Sequence, residues 1–264
     1  MLHMPVSGMA VTLAAPDGAD ELAIIEARGP AVARALAILP RLARIDTADD
    51  TADRAGGDDW RALTVTDFEY ALLALRRHLF GEHIACVLDC PNASCGERVE
   101  ITFGVADFLD DVRPARPSDV RDDDARPGWF RLGDAAFRLP TVADQAAVIG
   151  LPDAPRRLAA SCIDPADLGA RARARIERAM ERLAPEVSRE VRGVCPACGN
   201  TLSAMLHVPL LVIEELRRAA GRIHDDIHLI ADAYHWNEAS ILALPRARRQ
   251  TYAERIRRDR RERG

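Results

Sequence analysis

Apolar residues three and four positions apart predict helices along much of the chain. The strongest case is "TDFEYALLALRRHLFG", in which one helical face carries Phe68, Leu72, Leu75 and Leu79. Thr66 and Glu69 have the spacing of a capping box and predict the start of this helix. The helices predicted in this way cover residues 17–27, 30–45, 66–81, 142–149, 165–183 and 210–234, and a basic helix ends the chain.

Apolar residues at every second position predict strands on both sides of two cysteine-containing turns. Apolar residues occupy every second position over 84–88, before the first turn, and over 99–103, after it. Residues 187–194 and 202–208 show a strand pattern around the second turn, and "WFRLGDAAFRL" predicts a further hairpin. The expected fold class is therefore α+β, mostly helical with short antiparallel hairpins.

Two polar stretches interrupt these patterns and predict the domain organisation. Residues 46–59, "DTADDTADRAGGDD", have no apolar period and predict a loop. Residues 110–127, "DDVRPARPSDVRDDDARP", are rich in Pro, Asp and Arg and are the best candidate for a linker. We expect a first half over 1–110, a linker over 111–127, a second half over 128–235 and a basic helical tail over 236–264.

The two expected halves contain similar blocks in the same order. "CPNASCGERVEITFGVADFL" aligns with "CPACGNTLSAMLHVPLLV" when Cys95 is placed on Cys198, and a glycine follows each of them. "LAAPDGADELAIIE" likewise resembles "RLPTVADQAAVIG", with Pro16 on Pro140. These blocks predict two pseudo-repeated halves, and chance similarity between alanine-rich segments is the alternative.

Four of the six cysteines lie at the two predicted hairpin tips, with spacings typical of metal ligands. Two residues separate Cys195 from Cys198, so both thiolates can reach one ion at about 2.3 Å. Four residues separate Cys90 from Cys95, at the long end of the usual range. The set predicts one structural, tetrahedral Zn²⁺ of the zinc-ribbon type, with no open coordination position. Free cysteines in a degenerate site are the alternative.

Other chemistries match the sequence less well. A thioredoxin-like role for the Cys195 motif requires a helix directly after it, whereas a strand is predicted there. Cys86 and Cys162 lie in apolar patterns and are expected in the core. "IHDDIH" places His224 and His228 four residues apart, but Asp replaces the Glu of the H-E-x-x-H motif. We expect a polar helix face there and no enzyme activity, since phosphate-loop and nucleophile motifs are also absent from the sequence.

Composition narrows the class of protein further. The hydrophobic share of 48% and charged share of 29% are those of a soluble globular protein. The sequence contains no run of about 18 apolar residues, which argues against a membrane span. The first residues lack the basic start and apolar core of a signal peptide, so we expect a bacterial cytoplasmic location. Paired cysteines in that compartment more often hold metal than form disulfides.

The tail is strongly basic although the protein is acidic overall. "PRARRQTYAERIRRDRRERG" carries nine Arg against three acidic residues, while the net charge of the chain is −5. Such a tail can contact an acidic protein surface or nucleic acid, or it can form a solvated helix with ion pairs such as Glu254–Arg258. A zinc-ribbon nucleic-acid-binding regulatory protein is therefore the alternative function, although the overall charge disfavours nucleic acid.

Several of these stretches together resemble one family. They are "TDFEYALLALRRHLFGEHI" followed by the first cysteines, "FRLPTVADQAA", "CPACG" and "IHLIADAYHWNEASILALPRARRQTY". In this order they are similar to the baseplate hub assembly proteins of T-even-type contractile-tailed phages and of related contractile injection systems. The resemblance extends from about residue 11 to 252, apart from the acidic stretches.

The resemblance implies a non-enzymatic protein that helps to assemble the central hub, as a chaperone-like factor or a minor component. The implied partners are baseplate hub or tail-tube proteins, with no small-molecule substrate, and the protein can become part of a phage-tail-like particle. The cysteine pairs and the residues Tyr234, Trp236, Leu242, Pro245 and Tyr252 have counterparts in the family motifs. The residues expected to contact a partner are Tyr234, Trp236, Arg248, Arg249 and Tyr252.

Overall fold

The fold is a mixture of helices and small antiparallel sheets, which confirms the expected class. A computed structural model describes residues 1–46 and 59–263. The loop predicted over 46–59 lies outside these residues except at its two ends. The strands are β1 (Leu2–His3), β2 (Ala10–Leu13), β3 (Ala43–Asp46), β4 (His83–Asp89), β5 (Arg98–Gly104), β6 (Arg121–Asp122), β7 (Trp129–Leu132), β8 (Ala135–Arg138), β9 (Ile163–Asp164), β10 (Arg189–Val194) and β11 (Thr201–Leu206).

The helices account for most of the regular structure. They are α1 (Gly18–Glu26), α2 (Ala31–Leu42), α3 (Val65–Phe80), α4 (Val105–Asp110), α5 (Val142–Val148), α6 (Ala154–Ser161), α7 (Ala170–Leu183), α8 (Val208–Ala220), α9 (Ile223–Tyr234), α10 (Glu238–Leu242) and α11 (Arg246–Arg263). In the described part of the chain, every helix is too short or too polar to cross a bilayer.

The strands form four separate sheets. Three strands assemble in the order β1-β2-β3 and four in the order β6-β7-β8-β9, while β4-β5 and β10-β11 are two-stranded hairpins. The chain divides into two compact units, one of residues 1–11 and 45–208 and the other of residues 12–44 and 209–264. The division into halves predicted from sequence follows the order of the elements along the chain and stays a prediction.

The order of elements along the chain repeats. Two strands, two helices, a strand, a helix, a hairpin and a helix follow one another from β1 to α4, and the same order runs from β7 to α8. A capping box starts the first helix of each series, with Asp17 and Asp20 at α1 and Thr141 and Asp144 at α5.

Helix α3 forms the centre of the first unit. Phe68, Leu72 and Leu75 are buried, as the periodicity predicted, whereas Leu79 on the same face is half-buried. The predicted capping box of Thr66 and Glu69 is wrong, because the helix begins two residues earlier. The cap is Thr64, whose hydroxyl accepts from the Asp67 N–H at 3.2 Å.

The polar side chains of α3 bind neighbouring backbone instead. The Asp67 carboxylate accepts from the backbone N–H groups of Val6 and Ser7, at 2.8 and 2.9 Å. Buried Glu69 accepts from the Ser188 N–H at 2.9 Å, and burial raises its pKa in spite of this bond. Because Ser188 directly precedes β10, the bond attaches the second cysteine hairpin to α3.

The stretch predicted as a linker, 111–127, is part of the folded structure. Strand β6 pairs with β7, so that Arg121 lies opposite Arg131. Val120 and Asp123 are buried, and Asp123 forms an ion pair with Arg126 at 2.9 Å. The sequence of this stretch did not predict its folded structure, because it is rich in Pro and Asp and its buried apolar residues are too few to form a periodic pattern.

The helix predicted over 210–234 is two helices, and this prediction is therefore wrong in one respect. Gly221 and Arg222 interrupt it between α8 and α9. Ala220 and Ile223, on either side of the break, are both almost fully buried. The interruption therefore lets both flanking residues face the core of the second unit.

Candidate metal centre

The first cysteine pair lies in the loop that closes the β4-β5 hairpin. The strands pair in register from His83 opposite Gly104 to Asp89 opposite Arg98. Beyond them, the Cys90 N–H donates to the Glu97 carbonyl at 2.8 Å and extends the ladder to the start of the loop. The predicted hairpin is therefore confirmed.

The second pair occupies the same place in the β10-β11 hairpin. Val194 lies opposite Thr201, and the Cys195 N–H donates to the Asn200 carbonyl at 2.8 Å. A glycine follows the last cysteine of each loop, and both adopt a left-handed conformation: φ is +63° at Gly96 and +73° at Gly199. Glycine adopts such angles without steric cost, so each loop turns back directly after its second ligand.

The two hairpins pack against each other along their inner faces. A Cβ atom added to Gly193 would lie 2.5 Å from Ile101 Cδ1, so a larger residue at this position would require the Ile101 side chain to move. Below the loops, Cys90 and Cys195 join Val99 and Leu202 in a small buried cluster. This packing holds the two loops side by side.

The four sulfur atoms converge at the hairpin tips. They come from Cys90, Cys95, Cys195 and Cys198 and lie within 4.8 Å of one another. Two contacts join the two hairpins: Cys90 Sγ lies 3.6 Å from Cys198 Sγ, and Cys95 Sγ lies 3.8 Å from Cys195 Sγ. Disulfide bonding needs about 2.05 Å between sulfurs, so the cysteines are free thiols.

Two of these distances are close to those expected around one tetrahedral ion. Four sulfurs at about 2.3 Å from a central Zn²⁺ are separated from each other by about 3.8 Å. The Cys90–Cys198 and Cys95–Cys195 pairs are within 0.2 Å of that edge length, and all four sulfurs lie within 4.8 Å of one another. Four thiolates also complete a tetrahedral shell, so the arrangement fits a structural site and not one with an open catalytic position.

Backbone amides further adapt the loops to bind anionic sulfur. The Asn200 N–H donates to Cys198 and, with the neighbouring thiols and against the effect of burial, lowers the pKa of Cys198 to about 7. The Asn92 N–H likewise acts to lower the pKa of Cys90. Burial and the other three thiols outweigh it and raise the pKa of Cys90 to about 12. No sequence pattern singles out these two amides. Asn92 lies two positions after Cys90 and Asn200 two positions after Cys198, and proline at either position would remove the donor.

The other candidate ligands lie away from this cluster. Cys86 is half-buried in β4, where its thiol contacts the Ile101 carbonyl at 3.7 Å, and Cys162 is fully buried. His224 and His228 are exposed on α9. Within residues 1–46 and 59–263, the four hairpin cysteines are the one group with metal-ligand geometry.

The five residues expected to contact a partner separate into two environments. Tyr234, Trp236 and Tyr252 pack ring against ring, with centroids 5.5 to 5.7 Å apart, and Arg248 lies over the Tyr252 ring at 5.7 Å. Arg249 is instead fully buried and forms an ion pair with Glu21. Its guanidinium is therefore not available to a partner in this structure. The sequence could not distinguish the two arginines, because the partner of Arg249 lies 228 residues away.

No family model, curated protein or solved structure matches this chain.

Proposed function

We propose that Cys90, Cys95, Cys195 and Cys198 bind one structural Zn²⁺ and that the protein serves as a non-enzymatic assembly factor or minor component of a contractile-tail baseplate hub. The observation that carries the zinc proposal is the convergence of four thiols from two hairpin tips within 4.8 Å. The ion would join loops that are 100 residues apart in sequence, between Cys95 and Cys195, and would restrict the unfolded chain accordingly.

The repeated order of elements supports a duplicated fold. In each series, one backbone hydrogen bond joins the end of the strand before the helix pair to the end of the helix pair. The Ala14 N–H donates to the Leu42 carbonyl in the first series, and the Arg138 N–H donates to the Cys162 carbonyl in the second. In this proposal each half contributes one cysteine hairpin, and the zinc ion links the two halves of the duplication. The longer Cys90–Cys95 loop is then a four-residue variant of the two-residue loop in the other half.

The assembly role rests on the ordered family motifs and on the exposed aromatic residues of the second unit. Trp236 and Tyr234 are 37% and 38% exposed, and aromatic residues with arginine are enriched at the energetic centres of protein interfaces. This favours a protein partner, for which hub or tail-tube subunits are the candidates that the resemblance implies.

Metal analysis of the purified chain tests the zinc proposal. We expect one zinc per chain. Cys95→Ser should lose the zinc and Cys86→Ser should retain it, because Cys95 belongs to the cluster and Cys86 does not. Substitution by Co²⁺ provides a second measurement, since four thiolates give a tetrahedral cobalt spectrum with sulfur charge-transfer bands. Less than about half an equivalent of zinc in the unaltered protein, with all four hairpin thiols reactive, would refute the proposal.

Co-purification from cells that express the whole tail gene cluster tests the assembly role. We expect the tagged chain to retain hub or tube subunits. Binding to DNA or RNA with a steep salt dependence would instead favour the zinc-ribbon nucleic-acid-binding alternative. Two arginines of the basic helix α11, Arg249 and Arg257, pair with Glu21 and Asp226 and are therefore not free to contact phosphate groups.

A further inference from the structure

The aromatic cluster of Tyr234, Trp236 and Tyr252 forms an exposed surface although it is built like a core. Tyr252 meets both other rings edge-on and packs against the buried residues Ile230, Ile241 and Ile256. Among the described residues, Tyr234 and Trp236 are the aromatic members of the exposed large apolar side chains. Aromatic surface that stays exposed while the core beneath it is complete is typical of an interaction site.

The loop that carries Trp236 is held in place at both ends. His235 ends α9 in the left-handed conformation, with φ of 55°, and its N–H donates to the Ala231 carbonyl at 2.8 Å. Asn237 begins α10, and its Oδ1 accepts from the Ser240 N–H at 2.8 Å. Trp236 lies between these two caps. A surface ordered in advance loses less conformational entropy when it binds.

An open groove of about 430 Å³ lies beside this loop. Trp236 and Leu244 provide its apolar walls, while His235, Asn237 and Ser240 provide polar groups. This combination fits one apolar side chain together with the polar backbone of an extended segment.

The charge around the groove indicates the chemistry of the occupant. Arg248 is exposed next to the cluster, with its Nη2 3.3 Å from the Tyr252 hydroxyl. The outer face of α11 also presents Arg255 and Arg258, with the exposed carboxylate of Glu254 beside them, whereas Arg257 forms an ion pair with Asp226 at 2.8 Å. Arginines outnumber acidic residues among the exposed positions of the helix, and Arg248 is the one that adjoins the aromatic cluster.

We infer that this surface binds an acidic segment of a partner protein, with one large apolar side chain in the groove beside Trp236 and a carboxylate at Arg248. The inference rests on the proposed assembly function and names the chemistry of the partner that this site takes. Guanidinium groups bind carboxylates through paired hydrogen bonds, and the tyrosine ring beneath Arg248 limits the orientations of its side chain.

Selection from a displayed library of random dodecapeptides on the full-length, zinc-loaded protein tests the inference. We expect the enriched peptides to share one large apolar residue within a few positions of Asp or Glu. A consensus peptide should bind at least about tenfold more weakly to Trp236→Ala and to Leu244→Arg, as expected for residues at the centre of an interface. Thermal melting of both variants would separate loss of binding from loss of folding.

Charge exchange identifies the carboxylate contact. Arg248→Glu should weaken the consensus peptide, and replacing the acidic residues of the peptide by arginine should restore binding to that variant only. Arg171→Glu is the matched control, because Arg171 is exposed on α7, in the other unit. Peptides without acidic residues, unchanged binding by Trp236→Ala, or the lack of any enriched sequence would overturn the inference.

Failure of this inference can be distinguished from failure of the proposed function. A consensus peptide that binds at this groove would support the inference even if hub proteins failed to co-purify. Co-purification with hub proteins that survives Trp236→Ala would support the assembly role and contradict the inference.

Discussion

Arg248 and Arg249 are adjacent in sequence and differ completely in environment. Arg248 is exposed, whereas Arg249 is fully buried beside Glu21, and Arg246 lies 3.5 Å from the same carboxylate. Burial raises the pKa of Glu21, and the positive charges of Arg249 and Arg246 oppose that shift. The buried arginine thus holds α11 against α1, and its exposed neighbour is free to serve binding.

Separate substitutions of Arg248 and Arg249 test whether only Arg249 stabilises the fold. Arg249→Ala should lower the free energy of unfolding by about 3 kcal/mol, because it leaves the Glu21 carboxylate buried with weaker compensation. Arg248→Ala should change it by less than about 0.5 kcal/mol, as is usual for an exposed position. Urea unfolding measures both. Equal effects of the two substitutions would show that the Glu21–Arg249 pair does not form.

At the scale of elements, the two cysteine hairpins depend on their close contact. Two-stranded hairpins are marginal in isolation, so packing between the two hairpins contributes to the stability of each. Gly193 and Ile101 make a close contact between them.

Gly193→Ala should destabilise the protein by about 1–3 kcal/mol, since its methyl group would overlap Ile101 Cδ1. Ile101→Val removes that atom, so the double variant should recover part of the loss. Thermal unfolding of the single and double variants measures this coupling. Gly169→Ala is the control, because nothing lies within 4 Å of the added atom. Simple addition of the two single effects would contradict the predicted contact.

The capping box of α5 adds a second interaction at this scale. Asp144 accepts from Arg138 at 2.7 Å and from the Thr141 N–H at 2.9 Å. The hydrogen bond from Arg138 is the main reason why the pKa of Asp144 falls from 3.8 to about 2. The carboxylate therefore favours the folded state when it is charged.

The contribution of Asp144 should be complete above about pH 4 and should disappear as the pH falls from 4 to 2. It amounts to at most about 2 kcal/mol, because the pair is partly exposed. Other carboxylates titrate in the same range, so the test compares urea unfolding of the protein with that of Asp144→Asn. The difference between the two should be largest near neutral pH and vanish near pH 2. A difference that does not vary with pH would refute the assignment.

Across the whole molecule, features set by neighbouring residues could be predicted from sequence, and those set by distant residues could not. The alternation around Ile101 and the turn glycine Gly199 are local signals, and both led to the correct hairpins. The burial of Arg249 and the pairing of β6 depend on partners elsewhere in the chain, and no local pattern revealed them. The convergence of the four cysteines could be predicted in part. Their spacing within each turn predicted metal ligands, whereas the approach of the two turns depends on packing between the hairpins, as at Gly193.

The proposed zinc ion should stabilise one unit of the molecule selectively. All four clustered cysteines belong to the unit of residues 1–11 and 45–208, and the segments 12–44 and 209–264 contain no cysteine. Zinc removal by a strong chelator should therefore accelerate amide hydrogen exchange in β4, β5, β10 and β11 at least about tenfold, or ~1.4 kcal/mol of local stability. The exchange of α9 and α11 should stay unchanged, because buried aliphatic residues and the Glu21–Arg249 pair hold them without metal. Cys86→Ser should respond to the chelator in the same way, while Cys195→Ser should exchange rapidly with or without it. Equal acceleration in α9 and α11 would show that the ion stabilises both units, and the role proposed for the site would then extend to the whole chain.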